Sequence, residues 1–193
     1  MLLAEIVKRL TSPSDLKFLS LMSKRLYAVE GELRNSMYFG CGIFPAMALN
    51  RMCFRYPNLC KVKFHVMPLD DHGLQVFSSC CPSLTDLTLS FCTNVHDLGL
   101  GFLACFKKLK SLRLNTLPAI TSSGLLSVAE GCRNLSALHL IGYNEVVGRE
   151  KWLEYLGRVR SLEELVVSFC EKISQFDLLK FGPGWMKLQK FEF

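Results

Sequence analysis

The sequence has little that would support catalysis or metal binding. It contains no Gly-x-Ser-x-Gly nucleophile elbow. Its nearest approach to a phosphate-binding loop, Gly40-Cys41-Gly42, lacks the third glycine and the Lys-Ser/Thr pair that hold phosphates. None of the nine cysteines is spaced Cys-x-x-Cys, so the usual zinc framework is missing. We therefore expect a binding protein with no catalytic residue, no cofactor and no metal, rather than an enzyme.

Long apolar runs and strong charge are also lacking. The longest uncharged stretch, residues 35–50, contains two glycines and one proline and is too short to span a bilayer. The apolar start of the chain is interrupted by Glu5, Lys8 and Arg9 before it could form a signal peptide. The net charge is +6, but basic residues occur in ones and twos without interleaved aromatics. We expect an intracellular protein of the nucleus and/or cytoplasm, with neither a membrane nor a nucleic-acid partner.

What the sequence does contain is an internal repeat of the phrase Leu-x-x-Leu-x-Leu, in which Val or Phe sometimes replaces a strand leucine. The leading residues are Leu59, Leu84, Leu109, Leu135, Leu162 and Leu188. Subtraction of these numbers gives steps of 25, 25, 26, 27 and 26 residues. Alternate side chains of a strand point the same way, so the phrase predicts a short strand with its apolar residues facing a core. A Gly-Leu pair at residues 73–74, 99–100 and 124–125 indicates a turn before a helical apolar pattern.

Strand, loop and helix units at this period predict an α/β fold, the leucine-rich-repeat solenoid. One unit cannot bury its apolar side alone, so the units must stack, here as a segment of a horseshoe. We assign residues 56–193 to about five repeats, with the last cut short. Residues 35–55 are predicted to be a linker that leads into the solenoid.

The cysteines follow the same repeat. Cys81 and Cys132 each precede a leading leucine by three residues, a slot that other units fill with bulky apolar residues. Cys92 and Cys170 each follow the last strand apolar residue by three. A slot that accepts Cys, Tyr, Phe, Val or Trp is a core position, so we expect buried free thiols without disulfides or zinc.

Residues 1–34 do not fit the repeat and predict a small bundle of three helices. Leu3, Ile6 and Leu10 have helical spacing, and Ser12 and Pro13 are typical of the start of a second helix. Ser23 is predicted to cap a third helix.

Two stretches carry a family resemblance. The unit Cys81-Pro-Ser-Leu-Thr-Asp-Leu-Thr-Leu-Ser-Phe-Cys92, followed by Asp97-Leu-Gly-Leu100, resembles the cysteine-containing leucine-rich repeats of F-box proteins of plant-like type. Leu2-Leu3-Ala-Glu-Ile6 and Leu21-Met-Ser-Lys-Arg25 resemble an F-box. The chain lacks the family's upstream Leu-Pro pair and has Leu26 where Trp is usual. It also stops within a repeat strand. We therefore expect an N-terminally incomplete F-box at 1–34 and a partial chain.

The resemblance implies the substrate-recognition subunit of an SCF-type ubiquitin ligase, with a Skp-type adaptor, a cullin scaffold and an unknown protein substrate as partners. Residues that match the adaptor-binding motif are Leu2, Leu3, Ile6, Leu10, Pro13, Leu16 and Leu19. The predicted concave face, which would bind the substrate, carries Lys61, Lys63, His65, Asp86, Thr88, Ser90, Arg113, Asn115, His139 and Glu164. The alternative is a leucine-rich-repeat interaction scaffold without ligase coupling. A small-molecule receptor ranks lower, because it normally needs a longer horseshoe.

Overall fold

The described part of the chain forms one parallel sheet with helices packed against it. A computed structural model describes residues 2–10, 12–42, 46–143, 146, 151–159, 161–180 and 186–192. The strands are β1 (Ser36–Phe39), β2 (Lys61–His65), β3 (Asp86–Ser90), β4 (Ser111–Asn115), β5 (Ala137–Ile141), β6 (Glu164–Ser168) and β7 (Lys190–Glu192). They lie side by side in sequence order, and each neighbouring pair is parallel. This is the predicted leucine-rich-repeat solenoid.

Helices connect the strands and form the N-terminal bundle. They are α1 (Leu2–Arg9), α2 (Pro13–Met22), α3 (Lys24–Leu33), α4 (Ala46–Arg55), α5 (Asp71–Cys80), α6 (Asp97–Gly101), α7 (Ser122–Gly131), α8 (Lys151–Val159) and α9 (Gln175–Lys180). A short 3-10 helix, Phe102–Cys105, continues α6. Successive connecting helices pack on each other, as α4 on α5 and α7 on α8 do.

The repeat register is exact from strand to strand. Leu87, Leu112, Leu138 and Leu165 stand directly opposite one another, as do Leu89, Leu114, Leu140 and Val167. All eight side chains are buried between sheet and helices. The alternate residues lie on the other side of the sheet, which we call the open face. The predicted strands and their inward leucines are therefore confirmed.

The sheet begins one strand earlier than the repeat phrase indicated. Residues 35–55 were predicted as a linker, but they contribute β1 and α4. Ser36 pairs with Lys61 in the same parallel register as the later strands. Phe39 stacks on Phe64 at 5.0 Å between ring centroids, so β1 extends the core. This unit has no Leu-x-x-Leu phrase, and the strand was missed for that reason.

The N-terminal bundle has the three predicted helices. Pro13 occupies the first turn of α2, and Ser12 is its N-cap residue without a side-chain hydrogen bond. The Ser23 hydroxyl accepts a hydrogen bond from the Leu26 amide at 3.1 Å, which confirms the predicted cap of α3. Helices α1 and α2 each pack against α3.

A buried ion pair joins the bundle to the solenoid. Glu30 of α3 is 1% exposed, and its Oε2 accepts a hydrogen bond from Arg55 Nη2 of α4 at 2.9 Å. Arg34 donates to the other carboxylate oxygen. The Arg55 guanidinium also lies over the Tyr27 ring, 3.2 Å from its centroid. Charge, hydrogen bonds and a cation–π contact therefore fix the end of α3 against the first repeat.

The Gly-Leu pairs lie inside helices rather than in the turns that were predicted. Gly99 sits in the first turn of α6, beside Asp71 of the preceding repeat. Asp71 Oδ1 accepts a hydrogen bond from the His96 amide at 2.7 Å. A Cβ at Gly99 would overlap that same carboxylate oxygen. Glycine is therefore required because a side chain from the neighbouring repeat occupies the space.

This close approach gives a prediction on stability. Gly99→Ala should lower the free energy of unfolding by about 1–3 kcal/mol, because Asp71 must move and release the His96 amide. Gly101, two residues further on, has a helical φ of −58° and no atom within 4 Å of an added Cβ. Gly101→Ala should therefore stabilise by about 0.4–1 kcal/mol. Urea denaturation of both variants is the measurement, and equal effects would contradict the contact.

Candidate functional site

Side chains of the open face form three rows that cross the strands. The middle row is Tyr38, Lys63, Thr88, Arg113, His139, Val166 and Glu192. One flanking row is Ser36, Lys61, Asp86, Ser111, Ala137, Glu164 and Lys190, and the other is His65, Ser90, Asn115, Ile141 and Ser168. The structure thus brings all ten residues predicted for the concave face onto one side of the sheet.

The part of this face formed by β1–β4 is basic. Its strands carry Lys61, Lys63 and Arg113 against one acid, Asp86. Lys61 Nζ lies 3.7 Å from Asp86 Oδ1, whereas neither Lys63 nor Arg113 forms an ion pair with another described residue. These residues line a depression of about 580 Å³. The depression therefore carries two cations without a counter-ion.

Aromatic rings border the basic depression. Tyr38 is 59% exposed and stacks on His65 at 6.4 Å between ring centroids. His65 meets the Phe91 ring edge to face at 5.6 Å, and Phe91 is 46% exposed. Phe91 and Val66 follow their strands with φ of +55° and +50°. Thr116, Gly142 and Phe169 have positive φ at the same place after β4, β5 and β6, so this turn belongs to the repeat.

The part of the face formed by β5–β7 differs from the predicted exposed surface. His139 is buried, and its Nε2 lies 3.3 Å from Glu164 Oε1. Lys190 Nζ donates to the same carboxylate oxygen at 2.7 Å, so Glu164 is paired with a lysine. Ser90 is buried as well, and its hydroxyl accepts from Asn115 Nδ2 at 3.0 Å. Ser90 and His139 were predicted as partner contacts, but neighbouring side chains cover both.

His139 gives the open face a predicted pH dependence. Burial, and then the Arg113 charge, lower its pKa below the ordinary value near 6.5, and the nearby Glu164 only partly opposes this. The unfolded chain therefore binds the proton more readily, so stability should fall as pH drops from about 6.5 towards the lowered folded pKa. The slope should not exceed about 1.4 kcal/mol per pH unit for one proton.

The measurement is urea denaturation between about pH 7.5 and 5.5, above the range in which carboxylates titrate. His139→Gln should reduce the slope. His72→Gln, which removes an exposed imidazole of α5, is the matched control. An unchanged slope in His139→Gln would contradict the assignment.

A second candidate surface lies on α2. Phe18, Leu21 and Met22 are 69%, 74% and 75% exposed and occupy one side of the helix, because they are spaced i, i+3 and i+4. Leu16 and Leu19 are half-buried on the opposite side. We call the exposed side the α2 outer face. A helix that is apolar on both sides is normally covered on both, so the α2 outer face is a candidate partner surface.

The predicted adaptor-binding residues only partly coincide with this surface. Ile6 is exposed, whereas Leu10, Leu16 and Leu19 are half-buried within the bundle. The side chains of Leu2, Leu3 and Pro13 lie outside the described part of the structure. Leu16 and Leu19 are half-buried on one side of α2, and Phe18, Leu21 and Met22 are exposed on the other. Leu21 and Met22 belong to the second stretch that resembles an F-box, but neither they nor Phe18 were among the residues predicted to bind the adaptor.

The buried cysteines have the properties of core residues. All nine cysteines are free, and Cys81, Cys92, Cys132 and Cys170 are buried at their predicted repeat slots. Burial raises the pKa of Cys132 to about 12 and also raises the pKa of Cys92 and Cys170. A hydrogen bond with Cys81, at 3.4 Å between sulfurs, raises the pKa of Cys53 further than burial alone. Thiols held neutral in this way are poor nucleophiles.

The described residues contain neither a metal-binding cluster nor a membrane-spanning helix. No group of three or more His, Cys, Asp or Glu side chains within them is placed to hold a metal ion. None of the helices in this part of the chain is both long and apolar enough to cross a membrane.

Solved structures of other proteins are similar to this fold. No family model matches the sequence. A chain of the Rad7 and Elc1 complex from yeast is similar in structure, with a TM-score of 0.69 over 98% of this chain and 15% sequence identity. An internalin from Listeria monocytogenes gives a TM-score of 0.49 over 82% of this chain at 14% identity, with 47% of the internalin covered. This chain spans about half of the yeast chain, 51% of its length. At 15% identity the likeness to the yeast chain concerns the fold alone, which is the leucine-rich-repeat solenoid described above.

Proposed function

We propose that this chain is a substrate-recognition subunit of an SCF-type ubiquitin ligase, acting inside the cell. The α2 outer face binds a Skp-type adaptor linked to a cullin scaffold, and the open face binds a protein substrate. The chain performs no catalytic step of its own. Its contribution is to hold the substrate near the transferring enzyme, which raises the effective concentration of the reacting groups.

The main support for this proposal is the exposed apolar side of α2. Phe18, Leu21 and Met22 form a contiguous apolar stripe on a small helical bundle at one end of the molecule. Hydrophobic residues that cluster in this way on a monomer surface mark a protein interface. The F-box resemblance of residues 1–34 names the kind of partner.

Two further features support the proposal. The Glu30–Arg55 pair attaches the bundle firmly to the first repeat, which a subunit that positions a substrate requires. The yeast chain of similar fold was crystallised in a complex with a second protein, which supports a partner-binding role for this chain.

The test is a calorimetric titration of the chain with a purified Skp-type adaptor. A parallel titration measures binding of the chain to Elc1. Leu21→Asp should weaken adaptor binding by more than about 30-fold, because it places a charge in the dehydrated centre of an interface. Phe54→Asp is the matched control, since Phe54 of α4 is exposed to a similar extent but lies outside the bundle. Binding of neither protein would favour the scaffold without ligase coupling. Equal binding by both variants would exclude the α2 outer face as the contact.

A further inference from the structure

We propose that the basic part of the open face, β1–β4, binds an acidic, extended segment of the partner protein, with an aromatic or other large apolar side chain of that segment held against Tyr38 and Phe91. This inference rests on the proposed function, because it names the class of substrate that the open face recognises. It concerns a different surface from the α2 outer face, so the two claims can be tested apart.

The unpaired cations of the open face lie at one end of the sheet. Lys63 and Arg113 lack a carboxylate partner among the described residues, and Lys61 is paired only loosely with Asp86. At the other end of the face, Glu164 is already bound by Lys190 and His139. Lys190 also lies 3.8 Å from Glu192, so β5–β7 carry two carboxylates against one lysine. The unpaired positive charge of the face is therefore confined to β1–β4. A complementary partner must bring carboxylates to that end.

The spacing of the two unpaired cations suits an extended chain. Lys63 and Arg113 stand in the same row, two strands apart, which is about 10 Å at the usual strand spacing. An extended chain of about three residues covers that distance. Thr88 lies between the two cations, and it is small enough to leave the depression open. A strand-like segment running across β1–β4 can therefore place successive carboxylates near both.

Aromatic rings lie beside the two unpaired cations. Tyr38, His65 and Phe91 form a continuous run of rings beside the cations, and Lys63 Nζ lies 5.7 Å from the Tyr38 ring centroid. Tyrosine and arginine, both present here, are typical of the energetic centre of protein interfaces. A partner that offered carboxylates alone would leave this apolar edge uncovered.

A protein segment fits better than a nucleic acid. Asp86 stands inside the basic area, and Glu164 and Glu192 lie further along the face. A nucleic acid presents uniform negative charge, and proteins that bind it neutralise several consecutive phosphates. On β1–β4 an acid interrupts three cations, and on β6–β7 the face carries acidic residues. This pattern matches a protein partner, whose charge can vary along its chain, better than a nucleic acid.

The experiment measures fluorescence polarisation with a labelled peptide that has a run of Asp and Glu around one phenylalanine. A second peptide replaces each acid by its amide, and a third probe is single-stranded oligouridine. The acidic peptide should bind at least tenfold more tightly than the amide peptide, and its affinity should fall with salt. Lys63→Glu with Arg113→Glu should weaken it at least tenfold. Lys108→Glu with Arg133→Glu, which changes net charge equally in the segments between helices and strands, should not.

The outcomes separate the two proposals. Equal binding of the acidic and amide peptides, no binding of either, or tighter binding of oligouridine would overturn the acidic-segment proposal. Retained adaptor binding in those experiments would leave the proposed function intact. If Lys108→Glu with Arg133→Glu weakens binding of the acidic peptide as much, the assignment to β1–β4 is wrong. If the acidic peptide binds as expected while the adaptor does not, this inference stands and the ligase coupling fails.

Discussion

Glu30→Ala should lower the free energy of unfolding by about 3–5 kcal/mol, because it breaks a buried pair and leaves charges without a partner. Two arginines, Arg34 and Arg55, donate to the Glu30 carboxylate, and both are largely removed from solvent. Without the carboxylate, their positive charges face each other in a poorly hydrated site. The effect should appear at the junction of α3 and α4, so the bundle should loosen from the solenoid as well as lose stability.

The measurement is urea denaturation followed by both circular dichroism and tyrosine fluorescence. Glu32→Ala is the matched control, because Glu32 is the next acid in α3 and its side chain is exposed. We expect a change within about 0.5 kcal/mol for that control. A loss at Glu30 no larger than the loss at Glu32 would mean that the bundle is held to the first repeat by other contacts.

Leu112→Ala should cost about 2–5 kcal/mol, because it removes a fully buried side chain from the stacked leucine row and leaves a cavity. Leu112 stands opposite Leu87 on one side and Leu138 on the other, so the cavity would open between three repeats. Stability in a solenoid depends on contacts between neighbouring repeats, and the defect should therefore weaken both interfaces of this unit.

Thr88→Ala is the control for Leu112→Ala, since Thr88 lies on the open face of the adjacent strand and is half-buried. It should change stability by no more than about 0.5 kcal/mol. Similar losses at both positions would contradict the assignment of inward and outward residues in these strands.

The repeat could be predicted from the sequence because a single phrase fixes both the strand and its orientation. Each predicted strand from Val62 to Phe191 is present, and Phe191 pairs with Leu165 as the period required. β1 was missed because Met37 and Phe39 carry the alternation without a leading leucine. The Glu30–Arg55 pair was missed because it joins residues 25 positions apart, and no local pattern specifies it.

The candidate surfaces were predicted less completely than the fold. Alternation placed ten residues on the open face, but it could not show that side chains of neighbouring strands cover Ser90 and His139. On α2 both sides are apolar, so periodicity alone could not decide which one the bundle buries. The sequence resemblance favoured Leu16 and Leu19, whereas the structure exposes Phe18, Leu21 and Met22.

We propose that one end of this molecule binds an adaptor while the open face remains free for a substrate. Amide hydrogen exchange of the chain, with and without saturating Skp-type adaptor, tests it most directly. We predict slower exchange in α1 and α2, with no change in β3 and β4. Protection of the open-face strands by the adaptor, or no protection of α2 at saturation, would contradict the account.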